Sequence, residues 1–311
     1  MKTDQKSRCM SAYLVHVSFN FWSDREDPGW PHEHCVYRPF LRFDDSLWRD
    51  ILLKMVDIGM NTVVLDLGDA INYRSHPEIA VENAWTADHL QRELDRIREM
   101  GLEPIPKLNF STAHDVWLGS YARCVSSEAY YQVCRDLIAE VCDLFDTPRF
   151  FHLGMDEETV QHQRFYAYSV IRQHELWWHD LQVLLDSVQQ AGVRPWVWSD
   201  YVWEHPDAFF AQMPTNVLQS NWYYGDDFSD ESKYAAAYRS LESHGYEQVP
   251  TSSSWTSQTS FQATVDYCSQ HIAPERLLGF LQTVWKPTIE DCRERHMQAL
   301  EMAGKAMQYF R

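Results

Sequence analysis

The sequence TVVLDL at residues 62–67 is followed by ADHLQRELDRIREM at residues 87–100 and by LEPIPKL at residues 102–108. The first segment is a short β-branched and aliphatic run, which is typical of a strand buried on both faces. The second segment carries its apolar residues at helical spacing, and Gly101 directly after it is a common helix stop. A strand, a helix and a second strand in succession predict a unit of parallel sheet.

The same alternation extends in both directions along the chain. It predicts eight strands, at residues 12–21, 62–67, 102–108, 150–153, 195–198, 217–222, 247–250 and 277–284. Helical patterns occur at residues 46–58, 87–100, 127–144, 176–190 and 233–243, and a closing helix is predicted at 289–310. Eight such units predict an α/β fold, a closed (β/α)₈ TIM barrel, as a single domain over residues 1–311 with the barrel at about 12–290.

A doubly wound open sheet is the alternative architecture. That fold usually carries a glycine-rich phosphate loop after its first strand. Here the first predicted strand leads into Asn20, Phe21, Trp22 and Ser23, without such a loop. The barrel is therefore favoured, and the Ser/Thr-rich segment 251–260 (TSSSWTSQTS) is predicted to be the loop after the seventh strand.

Composition excludes several classes of protein. The 311 residues include 27 Lys+Arg and 45 Asp+Glu, a net charge of −18, and 45% are hydrophobic. The apolar content is too high for a disordered chain, and the negative charge argues against a nucleic-acid partner. No apolar run is long enough to span a membrane and no secretory signal is visible, so we expect a cytoplasmic protein without a membrane partner.

No metal or cofactor is expected either. The seven cysteines include no CxxC pair, which argues against a thiolate zinc site. The cluster His32-Glu33-His34 lacks the helical spacing of a metalloprotease motif, and Pro31 argues against a helix there. The oligomeric state is left open.

Active sites of (β/α)₈ barrels lie at the carboxyl ends of the strands. Four tryptophans occupy corresponding places after the fifth to eighth predicted strands: Trp198, Trp222, Trp255 and Trp285. Core packing would account for any one of them. Four tryptophans at the carboxyl ends of successive strands favour a ring of aromatic faces on which a sugar can stack.

An acidic run, Asp156-Glu157-Glu158, follows the fourth predicted strand. It has the composition of the first turn of a helix, where acidic residues are favoured. It also follows a buried strand directly, with Gly154 allowing a tight turn. Carboxylates beside aromatic walls are what glycosidic hydrolysis requires, because one protonates the leaving oxygen and another stabilises positive charge.

These residues resemble a known family. The segment 152–157 (HLGMDE) is similar to the HxGGDE signature of family 20 glycoside hydrolases, the β-N-acetylhexosaminidases. Residues 61–69, ending in Asp69, resemble the second-strand segment of the family, and residues 106–114, ending in His114, resemble a degenerate PEIDxPGH segment. The resemblance covers most of residues 12–290, without the usual accessory domain before the barrel.

The resemblance implies an exo-acting, retaining hydrolase of terminal 2-acetamido sugars, in which the acetamido oxygen of the substrate attacks and forms an oxazolinium ion. Glu157 would be the general acid/base, and Asp156 would orient the acetamido group. The remaining residues would contact or support the sugar: Trp198, Trp222 and Trp255 around the acetamido methyl, Trp285 stacked on the ring, Tyr223 or Tyr224 on the acetamido oxygen, and His114, His152, Asp69 and Asp200 nearby.

The chain also departs from the family pattern. Met155 replaces a glycine, Lys107 and Asn109 replace acidic residues, and Lys286-Pro287 replaces the acid of the last strand. Arg25 is the nearest candidate for the arginine of the first strand. Two alternatives therefore remain: a two-carboxylate glycosidase that uses Glu157 with Asp200 or Asp66, and a carbohydrate-binding barrel without activity.

Overall fold

The computed structural model describes residues 9–27, 29, 34–229 and 231–308. Eight parallel strands form one sheet. They are β1 (Met10–His16), β2 (Thr62–Asp66), β3 (Glu103–Lys107), β4 (Phe150–His152), β5 (Arg194–Trp198), β6 (Leu218–Ser220), β7 (Thr251–Ser253) and β8 (Gly279–Thr283). Two further short strands, Ile71–Asn72 and Trp85–Thr86, pair with each other outside this sheet.

The helices of the described residues lie between and after the strands. They are α1 (Asp45–Asp57), α2 (Ala87–Glu99), α3 (Glu128–Leu144), α4 (His174–Gln190), α5 (Tyr201–Glu204), α6 (Pro206–Gln212), α7 (Lys233–Ser243), α8 (Ser260–His271) and α9 (Arg293–Met307). Several begin at a side chain that accepts backbone N–H groups, such as Asp44 before α1 and Ser127 before α3. Within the described ranges, no helix has the length and apolar character that crossing a membrane requires.

The strand order confirms the predicted (β/α)₈ barrel. Neighbours in the sheet run β6-β5-β4-β3-β2-β1-β8-β7, all parallel. The two ends of this order meet through isolated bridges, Gln219 with Gln248 and Trp222 with Thr251. We call this junction of β6 and β7 the seam of the barrel.

The seventh strand lies later than its predicted position at residues 247–250. Its ladder runs over Thr251–Ser253, inside the segment predicted to be a loop. Pro250 has no N–H to donate, so Gln248 makes only isolated bridges before it. The hydroxyls of Ser252 and Ser253 donate to the backbone oxygens of Tyr223 and Thr283, which makes buried serines acceptable in a central strand.

Other predicted boundaries also differ from those of the structure. The first strand ends at His16 rather than near residue 21, and the last helix is preceded by a separate 3₁₀ turn, Glu290–Cys292. The end of the predicted closing helix, residues 309–310, lies outside the described residues.

The inside of the barrel changes from apolar to polar at its carboxyl end. Leu14, Val64, Ile105 and Phe150 belong to one apolar cluster that fills the interior. Two residues further along the same strands stand His16, Asp66, Lys107 and His152, each paired in register with the next. Because side chains alternate along a strand, these four point to the interior as well. All are at most 1% exposed, and we call them the polar row.

Candidate functional site

A cavity of about 180 Å³ opens at the carboxyl ends of the strands. Its walls hold six of the residues predicted from the sequence: His114, Asp156, Glu157, Trp222, Trp255 and Trp285. The other lining residues are Phe21, Trp22, Cys35, Asp66, Lys107, Asn109, His162 and Tyr224. Most of the charged groups follow β2 to β4, whereas Trp222, Tyr224, Trp255 and Trp285 follow β6 to β8.

The turn after β4 presents Asp156 and Glu157 to this cavity. Gly154, Met155 and Glu157 all have positive φ, at 72°, 78° and 57°. Gly154 also passes so close to Asn109 that a Cβ atom would lie 1.9 Å from the amide oxygen of that residue. The turn therefore requires glycine at position 154 both for its backbone conformation and for its close packing.

Asp156 is buried and held from two sides. Asn109 Nδ2 donates to Asp156 Oδ1 at 2.8 Å, and His114 Nε2 lies 3.3 Å from Oδ2. Burial acts to raise the pKa of Asp156, but the opposing charges of His114 and Lys107 and the Asn109 hydrogen bond bring it below the ordinary value. Asp156 is thus a carboxylate at neutral pH.

Glu157 lies between two histidines. Its Oε2 is 3.3 Å from His114 Nε2, and its Oε1 is 3.3 Å from His162 Nε2. Burial acts to raise the pKa of Glu157, and the contacts with both histidines bring it below the ordinary value. Glu158, the third acid of the run, is directed elsewhere and accepts from Arg172 Nη2 at 2.7 Å.

His114 is the cation that both carboxylates share. Burial alone would lower its pKa, but Asp156 and Glu157 raise it to about 10. At neutral pH the ring is therefore an imidazolium that balances one of the two negative charges. Its ring also makes an edge contact with Trp22, with the centroids 5.9 Å apart.

Asp200, two residues after β5, also contacts the segment that carries Asp156 and Glu157. Its Oδ2 accepts the backbone N–H of Glu157 at 3.0 Å, and its Oδ1 accepts Trp222 Nε1 at 3.4 Å. Burial and the charges of Asp156 and Glu157 raise the pKa of Asp200 to about 7. Neighbouring carboxyl groups thus differ in protonation near neutral pH.

The aromatic wall is a connected set of rings. Trp222 stacks on Tyr224, with centroids 5.0 Å apart, and Trp285 Nε1 donates to the Tyr224 hydroxyl at 2.8 Å. Trp198 lies one layer deeper, in the interior cluster, where it contacts Trp285 from below with centroids 6.2 Å apart. The hydrogen bond from Trp285 therefore orients the hydroxyl of Tyr224.

Five of the predicted residues lie outside the cavity lining, Trp198 and Asp200 among them. His152 accepts the Gly154 N–H at 3.0 Å, and burial lowers its pKa well below the ordinary value, so it is neutral and supports the turn. Tyr223 stacks on Tyr234, and the cavity receives Tyr224 instead. Asp69 accepts from Ser18 and Asn20, and burial raises its pKa to about 6.

Two lining residues come from segments for which the sequence predicts no helix or strand. His162 lies in an irregular segment between β4 and α4, and Cys35 lies in the long segment between β1 and α1. Neither segment has a periodic pattern that predicts where its side chains point. Arg25, the candidate arginine, donates to the backbone oxygen of Phe165 and does not line the cavity.

One group in the described residues could offer ligands to a metal ion. The side-chain ligand atoms of His114, Asp156 and Glu157 lie within 4.8 Å of one another. A metal ion there would have to displace the proton that these carboxylates hold on His114. The sequence predicts that the cluster His32-Glu33-His34 is not a metal site. His32 and Glu33 lie outside the described residues, and His34 Nε2 is 3.6 Å from Cys292 Sγ.

No protein-family model and no curated protein matches the sequence. Solved structures do match. A β-N-acetylhexosaminidase from Bacteroides fragilis has a TM-score of 0.63 at 13% identity, over 94% of this chain and 65% of that one. A GH20 exo-β-N-acetylglucosaminidase from Vibrio harveyi, in complex with N-acetylglucosamine, has a TM-score of 0.62 at 13% identity, over 94% and 54%.

Dispersin B matches with a TM-score of 0.60 at 13% identity, over 96% of this chain and 99% of that one. The chain thus spans less than two thirds of the first two proteins and nearly all of the third. At 13% sequence identity the similarity to these structures is a similarity of backbone fold. It shows that this chain has the barrel fold of the family 20 glycoside hydrolases, as the sequence resemblance implied.

Proposed function

We propose that the protein is a glycoside hydrolase that removes a terminal β-linked 2-acetamido sugar with retention of configuration. One observation carries the proposal. Asp156 and Glu157, adjacent in sequence, share the His114 cation and face a cavity walled by Trp222, Trp255 and Trp285. A carboxylate pair beside aromatic faces suits the oxocarbenium-like charge of glycoside cleavage.

In the proposed reaction Glu157 protonates the glycosidic oxygen as the bond to the aglycone breaks. The acetamido oxygen of the substrate attacks the anomeric carbon from the other face and forms an oxazolinium ion. Glu157, now a carboxylate, then takes a proton from the water that opens this ring, which returns the acid form. Asp156 stays ionised throughout and accepts the acetamido N–H, so its negative charge stabilises the cationic intermediate.

The low pKa of Glu157 in the free protein bears on this role. A general acid must carry a proton when substrate is bound. A sugar ring in the cavity would exclude water from Glu157 and raise its pKa by desolvation. His114 faces Oε2 as an imidazolium, so the catalytic proton belongs on Oε1, the oxygen beside His162. The proposal therefore includes a rate optimum on the acid side of neutrality.

The cavity volume favours an exo-acting enzyme. At about 180 Å³ it is smaller than typical ligand pockets, which span roughly 300–1,000 Å³. Such a space suits one terminal sugar residue, with the aglycone at the mouth. The Tyr224 hydroxyl, already bonded to Trp285, is the donor proposed for the acetamido oxygen.

A substrate panel tests the proposal. We expect turnover of aryl β-N-acetylglucosaminide or N-acetylgalactosaminide, none of the plain glucoside or galactoside, and inhibition by a thiazoline mimic of the oxazolinium ion. Glu157→Gln should slow substrates with poor leaving groups by roughly 10²–10⁴. Glu204→Gln, which changes an exposed acid paired with Lys233, is the matched control and should keep full activity. An unchanged rate in Glu157→Gln would show that the acid is misassigned.

A second candidate is a two-carboxylate glycosidase acting on a sugar without an acetamido group. The pKa of Asp200 is raised to about 7, while that of Glu157 is lowered. Two neighbouring carboxyl groups whose pKa values differ in this way often serve as acid and nucleophile. This candidate predicts comparable turnover of the plain glucoside and a strong loss of rate in Asp200→Asn. Sugar binding without turnover of any substrate would instead favour a carbohydrate-binding barrel.

A further inference from the structure

The floor of the cavity is charged, although it lies on the apolar interior of the barrel. Two members of the polar row, Asp66 and Lys107, are both buried and both line the cavity. They end the neighbouring strands β2 and β3, in register with each other. They lie below the level of Asp156 and Glu157, which follow β4 by four and five residues.

The hydrogen bonds between Asp66 and Lys107 leave some of their donor and acceptor positions unused. Lys107 Nζ donates to Asp66 Oδ2 at 2.5 Å, and His16 Nδ1 lies 3.2 Å from the same oxygen. The other carboxylate oxygen, Asp66 Oδ1, is buried and has no hydrogen-bond partner in the described protein. An ammonium group has three N–H donors, and one of them is directed to Asp66. Buried charges are usually fully hydrogen-bonded, so free acceptor and donor positions on a cavity floor indicate a ligand.

The chemistry of that ligand follows from the charges. Asp66 and Lys107 carry opposite charges, and burial lowers the pKa of His16, which keeps that ring neutral. The floor is therefore close to neutral overall, which disfavours a phosphate, a sulfate or a carboxylate. A carboxylate beside an ammonium offers an acceptor next to a donor, which complements two neighbouring hydroxyl groups.

We propose that Asp66 and Lys107 form the hydroxyl-binding subsite of the cavity and select the sugar by its ring hydroxyls remote from the anomeric carbon. This inference rests on the proposed function, because it takes the ligand to be a sugar with its anomeric carbon at Asp156 and Glu157. Asp66 accepts from one hydroxyl and Lys107 donates to its neighbour. Trp285 and Tyr224, joined by a hydrogen bond, line the same cavity, and a sugar ring packed against them would leave little room for water to compete for these bonds.

The alternative is that the pair only joins β2 to β3. A cycle that combines changes in the protein with changes in the substrate separates the two roles. The protein variants are Lys107→Met and the double variant Asp66→Asn/Lys107→Met, which leaves no unpaired buried charge if the single variant fails to fold. Glu93→Gln is the matched control, because Glu93 is a buried acid paired with Arg96 on α2 and lies outside the cavity lining.

The substrates are an aryl β-N-acetylglucosaminide and its 3-deoxy, 4-deoxy and 6-deoxy analogues, compared by kcat/KM. We expect at least one analogue to lose tenfold or more with the wild type and less than threefold with the double variant. Glu93→Gln should show the wild-type losses. Equal losses in the wild type and the double variant would overturn the subsite, since the pair would then be structural.

Binding measurements keep the two proposals apart. If the wild type hydrolyses none of these substrates, the proposed function fails, and calorimetry with N-acetylglucosamine and its deoxy forms repeats the cycle. A deoxy penalty that is present in the wild type and absent in the double variant supports the subsite on its own. If no sugar of the panel binds, both proposals are overturned.

Discussion

Replacement of Gly154 by alanine tests how the turn after β4 holds the acidic pair. Gly154 has φ at +72°, and an alanine Cβ would lie 1.9 Å from Asn109 Oδ1 and 2.8 Å from Asn109 Cα. The second of these is a backbone atom, so a rotation of the Asn109 side chain cannot relieve the contact. Asn109 and the turn must move apart.

The magnitude follows from what Asn109 holds. Its Oδ1 accepts from the N–H groups of Met155 at 3.2 Å and Ser111 at 3.1 Å, and its Nδ2 donates to Asp156 at 2.8 Å. Each such hydrogen bond contributes about 0.5–1.5 kcal/mol net. A non-glycine residue in the left-handed region costs about 1–2 kcal/mol. The loss of all three hydrogen bonds together with the backbone cost should therefore lower the free energy of unfolding by roughly 2.5–6.5 kcal/mol.

Gly101 is the matched control. It has φ at +79°, and an added Cβ would meet nothing within 4 Å. Gly101→Ala should therefore lose only the backbone contribution of about 1–2 kcal/mol. Urea unfolding followed by tryptophan fluorescence measures both variants. If Gly154→Ala loses no more stability than Gly101→Ala, the packing of Gly154 on Asn109 does not hold the turn, and our account of it is wrong.

Two further predictions concern His114 and Trp255. In the folded protein the pKa of His114 is raised to about 10, against 6.5 for an ordinary histidine. The contribution of His114 to stability is therefore complete below pH 6.5 and is lost as pH rises toward 10. Between these pH values the free energy of unfolding should fall by about 1.4 kcal/mol per pH unit. His114→Gln should flatten the dependence in urea titrations at pH 7.5, 8.5 and 9.5, and parallel curves for the two proteins would contradict the shared-cation assignment. Trp255→Ala should raise KM for an aryl acetamido sugar by about two- to tenfold with little change in kcat, because an aromatic stacking contact contributes about 0.5–1.5 kcal/mol. An unchanged KM would show that Trp255 does not contact the sugar.

The sequence predicts the barrel well where strands are apolar. Runs such as residues 62–67 are buried on both faces, so hydrophobicity alone locates them. The seventh strand escapes this criterion, because Ser252 and Ser253 are buried with their hydroxyls bonded to backbone oxygens. A pattern of polarity cannot distinguish such a strand from a loop.

The candidate site is predictable to the extent that it is local in sequence. Asp156 and Glu157 follow β4 within five residues, so their place at the cavity could be inferred. Tyr223 and Tyr224 lie beyond the end of β6, where strand alternation no longer says which of them faces inward. His162 reaches Glu157 from an irregular segment, and only the three-dimensional path of that segment brings the two together.

The seam between β6 and β7 has a consequence for how function is lost. The first four strands carry the carboxylates, the lysine and His114, while most of the aromatic wall belongs to the last three. The seam lies within the aromatic side of the barrel, and its isolated bridges at Gln219 and Trp222 hold the part of the wall that carries Trp222 and Tyr224 beside the part that carries Trp255 and Trp285. A substitution that loosens this junction would therefore separate the aromatic side chains from one another while leaving the carboxylates, the lysine and His114 in place.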